Sequence, residues 1–106
     1  MDTIKLADHE RFDPAKMTKT ALFESEHMFF DLYGLLPGQA QKVHAHAESD
    51  KVYLTLKGAP ILTVGDDERV LAVGEAAIAR AGEAHGVRND GPDPALLLVT
   101  MAPPPR

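Results

Sequence analysis

A chain of 106 residues with ordinary hydrophobic and charged content, 44% and 25%, suits one compact domain over 1–106 and leaves little room for a second. Its formal charge of −5 argues against nucleic acid or an anionic membrane surface as partner. Cysteine is absent, which excludes disulfides and thiolate metal sites, so any metal must be held by nitrogen or oxygen.

The N-terminal stretch MDTIKLADHERF is charged throughout and lacks the pattern of a signal peptide. The apolar run near the C-terminus, Ala95 to Val99, is far too short to cross a bilayer, and the cytoplasm is the expected location. In chain order the candidate strands are Thr3 to Leu6, Thr20 to Phe23, Met28 to Leu36, Gln41 to Ala47, Val52 to Lys57, Pro60 to Val64, Glu68 to Val73, Ala76 to Ala79, Gly86 to Asn89 and Ala95 to Met101. The stretches between them (ESEH, LPGQ, KGAP, AVGEA, RAGEA, NDGPDP) are rich in turn formers. GDDE between ILTV and RVLAV is a hairpin signal. FDPAKMTKTALF comes nearest to a helix, but Pro14 and two threonines weaken it. Short strands with turns every 8–12 residues, roughly, predict an all-β sandwich or barrel. The terminal APPPR cannot enter a sheet interior.

Five histidines divide into two groups. His9 in DHER and His27 in ESEH read as solvated turn residues. His44 and His46 lie on an alternating stretch, where i and i+2 share one face of a strand. His85 is the third imidazole that can converge on them. Alternation also puts Lys51, Tyr53 and Thr55 on one face of their strand and Val52, Leu54 and Leu56 on the other. Tyr33 and Tyr53 read as core aromatics, with lining of a cavity as the alternative, and Arg80 as a surface residue at a turn, with a substrate clamp as the alternative.

The spacing around these histidines resembles the two motifs of the cupin superfamily. Gly38, five residues, His44, one residue, His46, four residues, Lys51, six residues, Gly58 is similar to the first motif, G-x5-H-x-H-x3,4-E-x6-G. Gly74, five residues, Arg80, Ala81, Gly82, two residues, His85, three residues, Asn89 is similar to the second, G-x5-P-x-G-x2-H-x3-N. The motifs, at 38–58 and 74–89, together cover residues 38 to 89, about half the chain. The resemblance implies a double-stranded β-helix, a jelly-roll barrel whose mouth holds a divalent transition metal: zinc, iron, nickel, copper or manganese. It assigns His44, His46 and His85 as metal ligands. Gly38, Gly58, Gly74, Gly82 and Asn89 fall on scaffold positions.

Two positions depart from the pattern: Lys51 stands where the glutamate ligand is usual, and Arg80 replaces the proline. With the shorter spacing Asp50 falls on the acid position, but the register of Gly58 favours Lys51. An ammonium about 5 Å from a divalent ion is repelled by on the order of 6 kcal/mol at an effective dielectric near 20. Lys51 therefore either turns outward to pair with Glu48 or Asp50, loses its proton, or serves an anionic substrate as the candidate catalytic residue. The reading that follows is a metal-dependent protein acting on or binding a small anionic molecule; as an enzyme it would be a dioxygenase, isomerase or decarboxylase. The alternatives are a non-catalytic ligand-binding or sensor module, with or without metal, and a structural dimer with a vestigial site. The apolar face of Val52, Leu54 and Leu56 predicts a homodimer.

Overall fold

The computed structural model describes residues 1–105. Nine strands follow a single 3₁₀ turn at Leu6–His9. They are β1 (Thr18–Glu24), β2 (Phe29–Leu35), β3 (Ala40–His44), β4 (Asp50–Lys57), β5 (Ile61–Val64), β6 (Asp67–Val70), β7 (Ala76–Ala79), β8 (His85–Arg88) and β9 (Ala95–Ala102). They form two antiparallel sheets, ordered β1-β2-β9-β4-β7 and β3-β8-β5-β6, and this is the jelly-roll architecture expected from the sequence. No helix among the described residues is long and apolar enough to cross a membrane.

Burial follows each strand's place in its sheet. The run ALLLVTMA of β9 is apolar on both faces because β9 lies between β2 and β4. Its inner residues Ala95, Leu97 and Val99 join Tyr33, Leu35, Tyr53, Leu62, Leu71 and Val87 in the core. The sequence DERV of β6, an edge strand, is exposed at every position, and charged side chains there discourage pairing with another chain. The β5–β6 hairpin turns on Gly65 and Asp66, with Gly65 at φ +57 and Val64 paired to Asp67. Glycine at the first of two turn positions is the type II′ pattern that matches strand twist.

One predicted strand is absent. Thr3 to Leu6 forms no ladder: the chain is irregular to Lys5, and the carbonyl of Lys5 accepts from the amide of Asp8 in the short 3₁₀ turn. The alternation at Ile4 and Leu6 finds no neighbouring strand to pair with. The chain at Arg11 instead lies against β1 and β2. There the Thr18 hydroxyl donates to the Arg11 carbonyl at 2.6 Å, and Gly34 has no space for a Cβ against Arg11 and Thr18.

Candidate metal centre

The second sheet positions two of the histidines. His44 on β3 and His85 on β8 are cross-strand partners, but the register between Gln41 and His44 is broken. Gln41 pairs with Val87 and His44 with His85, so two residues of β3, Lys42 and Val43, oppose the single Gly86. This is a β-bulge. By simple alternation Gln41 and His44 would face opposite ways; the extra residue turns both inward. Gly86 makes room for it: a Cβ there would lie 2.9 Å from the Gln41 carbonyl oxygen and 3.0 Å from the Val43 nitrogen. Nothing in the one-dimensional pattern announces this glycine as a site residue.

β3 ends at His44, earlier than the sequence pattern predicts, and His46 lies in the loop 45–49. The three imidazoles nevertheless come together. Ring centroids are 4.8 Å apart for His44 and His46, 4.5 Å for His44 and His85, and 5.5 Å for His46 and His85. One ligand atom from each lies within 4.8 Å of the others. His9 is not part of the group, and His27 is exposed beside Glu26.

Two rings are oriented from behind. Nδ1 of His44 lies 2.7 Å from the Lys42 carbonyl oxygen, and Nδ1 of His85 lies 3.0 Å from that of Glu83. A carbonyl oxygen only accepts, so each Nδ1 carries the hydrogen, and in the neutral ring Nε2 then presents a lone pair. Nε2 of His85 is buried and has no hydrogen-bond partner. Burial holds the His85 pKa down at about 4, with Lys51 and the other two histidines pushing the same way against the Glu83 carbonyl. Desolvation also lowers that of His46, assisted by His44 and Lys51. Neutral imidazole is the form that binds metal.

Lys51 points inward and is 1% exposed. Its Nζ donates to Gln41 Oε1 at 3.2 Å and lies 5.2 Å and 5.1 Å from the ring centroids of Tyr33 and Tyr53. The Tyr53 hydroxyl donates to the same Gln41 oxygen at 3.3 Å. Gln41, held inward by the bulge, thus joins the lysine and Tyr53 beneath the histidines, and the sequence pattern does not single it out. Burial lowers the Lys51 pKa to about 7; Lys19 adds to the shift and Asp31 opposes it. Asp50, the other candidate for the acid position, turns away and accepts from the Ala81 amide at 2.9 Å. The proposed outward pairing of Lys51 with Glu48 or Asp50 does not form. Arg80 is exposed in the β7–β8 turn.

The motif's scaffold residues are structural. Gly38, Gly58, Gly74 and Gly82 all have positive φ, between 79 and 88. Asn89 is fully buried and donates to the carbonyls of Leu35 and Asp93. A depression of about 380 Å³ lies beside His46, lined by residues 45–49 with Pro104 and Pro105. Another of about 400 Å³ opens between β6 and β7 and touches none of the three histidines.

The family profile described as Cupin domain matches residues 31–101. The structure is similar to that of TT1209 from Thermus thermophilus, with TM-score 0.96 and 54% identity over 99% of this chain and 100% of that one. It is also similar to an rmlc-like cupin protein from Desulfovibrio desulfuricans (TM-score 0.85, 29% identity, 98% of each chain). A double-stranded beta-helix protein from Klebsiella pneumoniae shares the fold at TM-score 0.89 and 22% identity, over 97% of this chain and 90% of that one. No protein with a curated description matches significantly.

Proposed function

The chain belongs to the cupin family, and on that premise we propose that it holds one divalent transition metal on His44, His46 and His85 and takes a small anionic molecule beside it. The observation that carries the reading is the buried Nε2 of His85, which lacks a hydrogen-bond partner and belongs to a cluster of three imidazoles. A buried polar atom without a partner costs about 1–3 kcal/mol, and a metal would satisfy it. The donor set fits: neutral nitrogens suit zinc, copper, nickel or iron, and one nitrogen from each ring lies within 4.8 Å of the others. The carbonyls behind His44 and His85 act as the outer supports that ligating histidines normally have.

With three protein ligands such an ion keeps open positions, and when bound it would polarise a carbonyl or water as a Lewis acid. The residues of the chain supply the rest. Burial brings the Lys51 pKa to about 7 before any ion is bound, so its Nζ can donate a hydrogen bond or a proton to an anion. Gln41, Tyr33 and Tyr53 fix its position. The reading is tested by titrating zinc-loaded protein with a panel of small mono- and dicarboxylates. Lys51→Met should bind them at least tenfold more weakly than the wild type, with zinc still bound; equal affinities would remove Lys51 from the ligand site.

The outer face of β4 and β7 supports a second copy of the chain as partner. Val52 and Ile78 are cross-strand neighbours there and are 38% and 37% exposed. We infer a homodimer that covers this apolar strip.

A further inference from the structure

His44 and His85 are each held twice, by a strand ladder and by a hydrogen bond from Nδ1 to a backbone carbonyl. His46 has neither support. It lies past the end of β3, and among the described residues its ring makes no hydrogen bond. Its position is therefore inherited from the loop 45–49.

Three ties hold that loop. The His46 carbonyl accepts from the Gly82 amide at 2.8 Å, and Asp50 Oδ1, at the start of β4, accepts from the Ala81 amide at 2.9 Å. Both fasten the loop to the turn between β7 and β8. The third tie runs elsewhere. Ser49, only 3% exposed, donates its hydroxyl to the Pro103 carbonyl at 2.6 Å, joining residues 54 apart in sequence. Pro103 begins a run of three prolines, which have fixed φ and no amide hydrogen and cannot extend β9 as a paired strand. β9 ends at Ala102, so the Pro103 carbonyl lies beyond the ladder, in a stiff segment. Pro104 and Pro105 are half-buried and, with residues 45–49, enclose the depression beside His46.

We propose that Ser49 is a positioning residue for the His46 imidazole: its hydrogen bond to Pro103 fastens the C-terminal proline segment against the loop 45–49 and holds the third ring at the cluster. The proposal rests on the reading of the cluster as a metal site. A ring with no hydrogen bond of its own follows its backbone, so releasing the loop makes metal binding order it again at a cost in affinity. Removing a support around a metal ligand typically weakens binding by about 10–100-fold.

The test uses zinc alone, titrated calorimetrically into the full chain. Ser49→Ala should lower zinc affinity about tenfold, the lower end of that range, because His44 and His85 keep their supports. In a His46→Ala background the same change should have no effect, since the clamp acts through His46. Pro103→Gly leaves the serine in place, loosens its acceptor and should repeat the pattern. In metal-free Ser49→Ala, amide order parameters should fall for residues 45–48 and stay unchanged at His44 and His85. Equal losses of affinity in both backgrounds would mean a general weakening of the structure and would overturn the proposal. Unchanged affinity in Ser49→Ala would overturn it as well. A wild type that takes up no zinc would refute the metal reading itself, and the order parameters alone would then decide whether Ser49 holds the loop.

Discussion

The two ends of the barrel interior are built from the same strands and differ in what they leave unsatisfied. The inner face of β4 runs from Lys51 through Tyr53 to Thr55, and that of β9 from Met101 through Val99 and Leu97 to Ala95. At one end Leu35, Leu97, Ala95 and Val87 fill the space, and the buried polar atom without a partner is a neutral hydroxyl, that of Thr55. At the other end stand a buried ammonium, His85 with a partnerless Nε2 and two further imidazoles. Packing sustains the first end. The second carries groups that weaken a fold, and such groups persist where they bind something.

The sharpest way to break this division is to change one residue at each end. Leu97→Ala, at a fully buried position, should cost about 2–5 kcal/mol in urea unfolding and leave zinc affinity unchanged. His85→Ala should lose zinc affinity by more than about 100-fold, beyond what loss of an outer support costs. If either variant moved both quantities by comparable amounts, the two ends would not be separable.

Lys51 tests whether the polar end is a burden on stability. Its pKa falls from 10.5 to about 7 on folding, so the unfolded chain binds more protons between those values and stability rises with pH across that window. Below pH 7 the destabilisation is complete. Lys51→Met should therefore be more stable than the wild type at pH 7, by about 1–4 kcal/mol, the order found when buried ion pairs are replaced by apolar groups. Relative to the variant, the wild type should recover between pH 7 and 10.5, as read by denaturant unfolding at several pH values. Lys51→Glu should raise zinc affinity by supplying an anionic ligand.

A smaller effect is expected at the bulge, which links the two ends. Gly86→Ala forces a Cβ against the Gln41 carbonyl and the Val43 backbone, and should cost about 1–3 kcal/mol. Zinc affinity should fall with it, because the bulge turns His44 inward. The outer face lies outside the comparison and should leave both ends untouched: Val52→Lys should yield a monomer in sedimentation at micromolar concentration, with zinc affinity unchanged.

Much of this was legible in the sequence. Apolar stretches punctuated by glycine and proline located nine of ten candidate strands, and histidine spacing located the cluster. Periodicity failed where a local event intervened. Thr3 to Leu6 has alternation but no partner strand, and pairing is not written in a segment's own residues. The bulge at Lys42 and Val43 shifts parity by one, so the inward turn of Gln41 was hidden, and with it the acceptor that fixes Lys51. The inward face of Lys51 followed from parity with Tyr53; its aromatic cage depends on β2, which is remote in sequence.

The central claim, that His44, His46 and His85 together hold a metal ion, is tested most directly by calorimetric titration of tag-free, metal-stripped protein with zinc at pH 7. The account predicts saturation at one ion per chain in the wild type and no measurable binding in the His44→Ala, His46→Ala, His85→Ala triple variant. Equal uptake by both proteins, or none by the wild type, would contradict it.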